Sequence, residues 1–535
     1  MSRESFDYVI VGAGSAGSVI ANRLSADPEN RVLLLEAGKK WHPWVPVPVG
    51  FARLIDNPAA NWMYESEPES GTNNRKIPVP RGRLLGGSSS INGMVFVRGQ
   101  SYDYDGWAQL GNQGWSYDDV LPIFKRMESY SGGEDDYRGR DGPLKVSDST
   151  ESGPLYDALF DAAEELGIPR NPDYNGVVQD GFAMTQATIQ NGRRMSTAHC
   201  YLDPVKNRPN LTILPNATTE LLLFEGKTCI GVRYRTGSEQ HDVHVTREVI
   251  VSAGTINSPQ LLELSGIGQT DILYENNIEL RHELPGVGEN LRDHYAPRLI
   301  WEITRPGVTY TNGINLLWQG IKYILTRKGL LSIPASPIRG YIRSREGLES
   351  PDIGVSFYPF ISRNFKVSYT PGVSAIAHQL RPESMGSIHI KSADVSDAPA
   401  INFNFLSADI DREVVVSAVK ETRMLLNTKA LDGFRGKEIS PGASVQTDEE
   451  ILAWVRAKAE TVYHPVGTCK MGSDDMAVVD DRLRVIGIKG LRVADASVMP
   501  TLTSGNTNAP SIMIGEKAAQ MIAEDNSHQQ RELEF

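Results

Sequence analysis

The chain has 535 residues, 40% of them hydrophobic, and a formal net charge of −12. That length exceeds what one compact core serves, so two or more domains of ordinary soluble composition are expected. The acidic balance, without any basic block, argues against nucleic acid as a partner and reads as an aid to solubility. Cys200, Cys229 and Cys469 are odd in number and widely spaced, which speaks for buried free thiols in a reducing compartment rather than a disulfide framework or a zinc cluster. The N-terminus runs directly into a strand-like stretch with no separate charged and apolar regions of a signal peptide. No apolar run approaches the ~18 residues of a spanning helix. A cytoplasmic protein is expected, with peripheral contact at a membrane left open.

The first predicted unit is 7–38, DYVIVGAGSAGSVIANRLSADPENRVLLLEAG, read as strand, tight turn, helix and strand. Tyr8–Val11 is an apolar, β-branched run that suits a buried parallel strand. Gly12, Gly14 and Gly17 follow in G-x-G-x-x-G spacing. Gly12 permits the turn, Gly14 lets backbone approach a pyrophosphate, and Gly17 lets the helix pack on the sheet. Ser15 and Ala16 open that helix, whose N-terminal N–H groups and partial positive charge suit a diphosphate. Arg31–Leu35 is the second strand, ending in Glu36, about 20 residues past the glycines, where a carboxylate accepts hydrogen bonds from ribose hydroxyls. Its charge disfavours a 2′-phosphate and hence NADP. The motif alone does not choose between NAD and FAD.

Trp41–Gly50, rich in Pro and Trp, reads as irregular connection. In 80–99, PRGRLLGGSSSINGMVFVRG, Gly86, Gly87 and three serines make a loop whose backbone N–H groups can cradle phosphate or ring oxygens. It runs into the apolar stretch Met94–Val97, which implies burial. Glu248–Gly254 reads as a strand that leads into a helix. The middle of the chain is weakly patterned, with 351–360 and 386–390 as expected strands. The last residues, SHQQRELEF, read as a frayed polar tail.

Three blocks give a specific resemblance: 80–99 above; 254–268, GTINSPQLLELSGIG; and 462–472, VYHPVGTCKMG, followed by 491–522, LRVADASVMPTLTSGNTNAPSIMIGEKAAQMI. In this order they resemble the signatures of the glucose–methanol–choline (GMC) flavoprotein oxidoreductases. The resemblance implies an α/β fold, α+β overall: a Rossmann-like FAD-binding domain of discontinuous segments and a substrate domain on an antiparallel sheet. The FAD domain is expected at 1–160, 195–295 and 460–530, the substrate domain at 161–194 and 296–459, and a tail at 531–535.

Alcohol oxidation needs a base for the hydroxyl proton and an acceptor for the hydride; flavin is such an acceptor, and histidine the usual base. Of ten histidines, His528 lies in the tail and His241 and His244 in a polar segment. By resemblance His464 in YHPVGT matches the family's catalytic base and Asn508 in GNTNAP its partner, an amide that bonds the substrate oxygen without taking its proton. His294, ending GENLRDH, matches a structural loop. Gly87, Asn92, Gly93, Met94 and Val95 are matched to the flavin surroundings, Thr218 to an adenine contact, and Asp495 and Ala496 to the cofactor's other end. The helix opening at 509–510 is expected to aim its N-terminus at the flavin pyrimidine.

Some family members attach FAD covalently through a His before the matching Asn. Here that residue is Ile91, so FAD is expected to be non-covalent. Val462 and Tyr463, with Val95 and Val97, are expected to wall the substrate pocket. They form no carboxylate cage for a quaternary ammonium, which argues against choline itself. The implied function is oxidation of a primary alcohol to the aldehyde, with electrons passed to a quinone or similar acceptor. The alternatives are an oxidase that turns O2 into H2O2, or a non-oxidising relative of hydroxynitrile-lyase or photodecarboxylase type. No metal is implied, and the oligomeric state is open.

Overall fold

A computed structural model describes residues 5–305, 313–363, 366–368 and 370–533. In chain order the elements that place the site are β1 (Ser5–Val11), α1 (Ser15–Leu24), β2 (Val32–Glu36), β3 (Gly181–Met184), β4 (Leu211–Pro215), β5 (Ala217–Glu225), β6 (Thr228–Thr236), β7 (Glu239–Val251) and α2 (Gly254–Leu264). They continue as β8 (Arg298–Ile303), α3 (Gly313–Thr326), β9 (Ile338–Ile342), β10 (Ile353–Tyr358), β11 (Gly372–Gln379), α4 (Asp409–Leu426), β12 (Arg435–Ser440), β13 (Leu491–Val493) and α5 (Asn508–Leu533).

The first sheet runs β4-β2-β1-β7-β6-β5, with β13 beside the end of β7. Strands β4, β2, β1, β7 and β13 are parallel, and β7, β6 and β5 form an antiparallel extension. Parallel strands are covered on both faces, so their sequences are continuously apolar. Val9, Ile10, Val32 and Leu34 are fully buried, each adding about 1.5–3 kcal/mol of transfer free energy. Helix α1 packs on α5. Gly515 makes the approach close, since a Cβ there would sit 2.8 Å from Ala16 O. The Arg23 guanidinium binds Glu516 across the pair at 2.7 Å. Helix α5 runs on to Leu533, so most of the stretch expected to fray continues the helix; residues 534–535 of the expected tail lie outside the described residues.

The second sheet is antiparallel, in the order β12-β8-β11-β10-β9-β3. One face, with Leu299, Trp301, Val355, Phe357, Ala375 and Ala377, packs with Val414, Val415 and Val419 of α4 into a second core. The other face lines a cavity shared with the first sheet. The expected strand at 351–360 is β10, and Ser387–His389 is a short strand within 386–390. Cys200, Cys229 and Cys469 are free and buried.

Candidate active site

The cavity measures about 1040 Å³ and extends from Gly14 and Glu36 to Tyr358 and His378. At its first end Gly12 has φ +99°, and a Cβ there would stand 2.4 Å from Ser252 O. A Cβ on Gly14 would meet nothing within 4 Å, so this turn faces open space. Gly87 comes so near that its own Cβ would lie 2.7 Å from Gly14 Cα. The two glycine loops thus form one wall, with backbone exposed to whatever sits between them. Glu36 Oε2 accepts from Ala13 N at 3.0 Å and Oε1 from Gly38 N at 2.8 Å. Burial pushes its carboxyl up to about 7, against those two bonds and Arg83. Thr218, Asp495 and Ala496 also line the cavity. Asp495 Oδ2 accepts from Gly254 N at 2.9 Å and from Ser258 Oγ at 2.6 Å, tying β13 to the start of α2. These residues fit a dinucleotide lying across the carboxyl ends of the parallel strands.

The other end is organised around Asp293. Its Oδ1 accepts from the backbone N–H of His294 at 2.7 Å and of His464 at 2.9 Å, and its Oδ2 from the Thr461 hydroxyl. Tyr463 is held at φ +71°, a strained conformation for a bulky residue. The Arg81 guanidinium fixes it by donating to the Tyr463 carbonyl at 2.6 Å. These contacts aim the next residue, His464, into the cavity.

His464 lies between two polar side chains, His294 and Asn506. Its Nδ1 is 3.0 Å from His294 Nδ1, and His294 Nε2 is 2.8 Å from the Leu380 carbonyl. Its Nε2 is 2.7 Å from Asn506 Nδ2. The His378 ring packs 4.8 Å from that of His294. Burial holds all three imidazoles neutral: His294 is lowered to about 4, and His378 and His464 lie well below the ordinary value, with mutual repulsion and Arg339 adding to burial.

Gly12, Gly14, Ser15, Ala16, Glu36, Gly87, Asn92, Gly93, Met94, Val95, Thr218, Val462, Tyr463, His464, Asp495, Ala496 and Asn508 all line the cavity. Gly17 instead packs against the turn, where a Cβ would stand 1.9 Å from Gly12 O. Two expectations are corrected. The amide beside His464 is Asn506, whereas Asn508 Oδ1 accepts from Ser15 Oγ at 2.8 Å and fastens α5 to the glycine loop. Val97 is no pocket wall: it is fully buried with Tyr174, Tyr341 and Leu380 and touches Gly505, whose Cβ would lie 2.3 Å from it. His294, expected to be structural only, is in direct contact with His464. Asp293, Arg81, Arg298, Arg339 and His378 were not singled out from sequence. The only signal for Asp293 was its place in GENLRDH.

A dinucleotide cradle facing a buried imidazole across one cavity is the arrangement of a dinucleotide-dependent oxidoreductase. The chain belongs to the GMC oxidoreductase family, whose N-terminal and C-terminal family models match residues 6–296 and 382–515; its cofactor is FAD. Among its relatives, an oxygen-dependent choline dehydrogenase of Escherichia coli (strain K12 / DH10B) is 44% identical over 533 residues, covering 97% of this chain and 95% of that one. The protein of the same name from Photobacterium profundum is 42% identical over 536 residues, covering 97% and 93%. Among solved structures, pyridoxine 4-oxidase from Mesorbium loti superposes with a TM-score of 0.88 at 31% identity, covering 96% of this chain and 98% of that one. A formate oxidase variant from Aspergillus oryzae RIB40 gives 0.91 at 27%, covering 99% and 100%.

Proposed function

We propose that this protein oxidises a primary alcohol to the aldehyde, with His464 as general base and Asn506 holding the reacting oxygen. The observation that carries this reading is the hydrogen-bond chain through the two imidazoles. A carbonyl only accepts, so His294 Nε2 carries its proton, and a neutral His294 has a bare Nδ1. His464 must then donate from Nδ1, which leaves its Nε2 lone pair facing the cavity. The Asn506 amide now donates to that lone pair, while Asn506 Oδ1 has no partner among the described residues.

An alcohol entering beside Asn506 gives its proton to His464 Nε2, and the Asn506 amide turns to the oxygen that is left. The resulting imidazolium keeps its Nδ1–H on His294, and the Asp293 carboxyl holds the backbone N–H groups of both histidines. Bound FAD supplies the acceptor for the hydride. Burial and the neighbouring cations Arg339 and Arg81 weaken the base but keep it unprotonated at neutral pH. Ile91 is buried and apolar, which supports dissociable FAD, released by acid.

The exposed side of α3 supports a lipid-borne electron acceptor. Leu317, Trp318, Ile324 and Leu325 are 67%, 64%, 75% and 77% exposed. The chain carries Arg305, Lys322, Arg327 and Lys328 but no acidic residue between Glu302 and Glu346. An apolar helix face flanked by cations matches an anionic bilayer surface. The helix leads into Leu330 and Leu331, which line the cavity, so docking there would set the cavity beside the lipid phase where quinones reside. Vesicles containing phosphatidylglycerol should sediment the protein, phosphatidylcholine vesicles should not, and Ile324→Asp with Leu325→Asp should abolish the difference. Equal sedimentation by both vesicle types rejects the surface. Self-association through this face, seen by analytical ultracentrifugation and lost in the double variant, would also reject it.

The central test is an alcohol panel without oxygen, read as loss of the yellow colour, then repeated with oxygen and with a soluble quinone. Absence of bleaching by every alcohol overturns the reading.

A further inference from the structure

One cross-strand row of the second sheet bears on the part of the substrate away from its hydroxyl. Arg298 on β8 stands opposite Ile376 on β11, Ile376 opposite Ser356 on β10, and Ser356 opposite Arg339 on β9. Residues directly opposite on neighbouring strands share a face, and all four line the cavity. Three strand spacings set the ends of the row about 14 Å apart at the backbone. The cavity-lining part of this row therefore begins and ends in arginine, with Ala183 of β3 opposite Arg339 beyond it.

Arg339 is 3% exposed. Its Nε donates to the Tyr341 hydroxyl at 3.1 Å, and its terminal nitrogens have no partner among the described residues. Four other buried arginines are each held by carboxylate or carbonyl oxygens, although Arg98 and Arg194 keep nitrogens without a hydrogen-bond partner among the described residues. Arg98 and Arg138 share Glu128 at 2.6 and 2.8 Å. Arg492 meets Glu248 and Asp525, each at 2.6 Å. Arg194 donates to the carbonyls of Val45, Ser89 and Asn92. A buried guanidinium without a counter-ion is costly, and its planar fork fits a carboxylate with two parallel hydrogen bonds.

His378 stands near Arg339, buried and lining the cavity, with neither ring nitrogen bonded among the described residues. Arg298 stacks 5.6 Å over the Tyr358 ring and makes no ion pair among the described residues. The carboxylates on the cavity wall are Glu36, Asp495 and Glu460. The first two hold backbone N–H groups at the nucleotide end, and only half-buried Glu460, opposite Ala296, faces the substrate side. Arg298 and Arg339 thus face the substrate side with Glu460 as the one carboxylate on that part of the wall among the described residues.

We propose that the alcohol oxidised here carries a carboxylate, bound by Arg339 with His378 beside it and drawn in by Arg298, and that quaternary ammonium alcohols are poor substrates. This rests on the alcohol-oxidising reading above. It separates this chain from the choline substrate that its relatives' names print, because a cation placed beside Arg339 would meet like charge.

The test uses FAD-loaded enzyme without oxygen and compares flavin reduction by 4-(hydroxymethyl)benzoate, its neutral amide and choline. The acid should exceed the amide by at least 10-fold in rate over concentration, and choline by at least 100-fold. Arg339→Gln should lower the acid-to-amide ratio at least 10-fold, Arg339→Lys less, and Arg298→Gln by a few-fold. Equal use of acid and amide, or preference for choline, overturns the proposal. Binding of unreactive 4-methylbenzoate, read from the flavin spectrum, should weaken at least 10-fold in Arg339→Gln at unchanged FAD content. If that variant loses FAD, Arg298→Gln decides by the same two readouts. If no alcohol reduces the flavin but 4-methylbenzoate binding still depends on Arg339, the anion site stands and the alcohol reading falls. If 4-methylbenzoate does not bind, the anion site falls.

Discussion

The two sheets that face each other across the cavity solve different problems. The first has a parallel centre buried on both faces and lines the cavity with backbone: Gly12, Gly14 and Gly87 carry no side chain, an arrangement suited to a diphosphate at a helix N-terminus. The second is antiparallel and lines the cavity with side chains. Its buried face is apolar, and its cavity face presents Arg298, Ser356, Tyr358, Arg339 and His378. Backbone recognition needs residues close in sequence, so it leaves a motif. Side-chain recognition assembles residues from distant strands and leaves almost none.

The sharpest way to break that comparison is at the base. His464→Ala should slow flavin reduction by at least ~10²-fold while FAD stays bound, since general-base catalysis contributes about 10²–10⁴. Near-normal reduction would remove His464 from the mechanism. The two asparagines come next. Asn506→Ala should slow reduction by roughly 10-fold or more, in keeping with the loss of a hydrogen bond to a developing charge. Asn508→Ala should loosen FAD through its lost bond to Ser15 and change the reduction rate less. If both substitutions reduce the rate equally at full FAD content, the assignment of the two residues is wrong.

Glu36→Ala tests the backbone side. Loss of a carboxylate that receives two N–H groups and faces the ribose position should weaken FAD retention by about 10-fold, or ~1.4 kcal/mol, with reduction of the remaining flavin by alcohol unchanged. Full occupancy after dialysis would count against the ribose role. Steady FAD content with slower reduction would show that the two ends are coupled, which the separation of tasks does not allow.

What could be read from sequence follows the same division. Gly12, Gly14 and Glu36 lie within one strand-turn-helix-strand unit, so spacing alone places them. His464 was found through a motif block, but its setting was not, because His294 lies 170 residues away and Arg339 comes from another strand again. The slip from Asn506 to Asn508 has a local cause. Helix α5 begins at Asn508, so two asparagines in one short stretch straddle a change of backbone direction and point to different partners. Val97 was grouped with Val95 as a pocket wall, but Val95 reaches the cavity whereas Val97 is enclosed with Tyr174, Tyr341 and Leu380, and this segment is not part of a regular strand.

The smallest expected effect concerns proton linkage on the side-chain end of the cavity. His294, His378 and His464 all have folded pKa values depressed below the ordinary 6.5. The unfolded chain therefore binds protons there first, and the stability they confer is lost as pH falls below 6.5. Each such group contributes up to about 1.4 kcal/mol per pH unit. Asp293 and Glu36 act oppositely: each is raised to about 7 by burial, so the folded chain binds their protons first and gains stability as pH falls from 7 towards 4. His389, raised to about 9 by Glu263 and Glu289 against burial, gives stability that is complete below 6.5 and lost as pH rises through 9. Removing one depressed histidine therefore takes away up to about 1.4 kcal/mol per pH unit of the acid loss below pH 6.5. His378→Asn removes one histidine without breaking a hydrogen bond seen among the described residues. It should make the protein less sensitive to acid, read as a smaller shift of the denaturant midpoint of the FAD-loaded protein between pH 6.5 and 5.0. A variant that loses as much stability as the parent over this interval would show that burial does not depress His378 in the folded state.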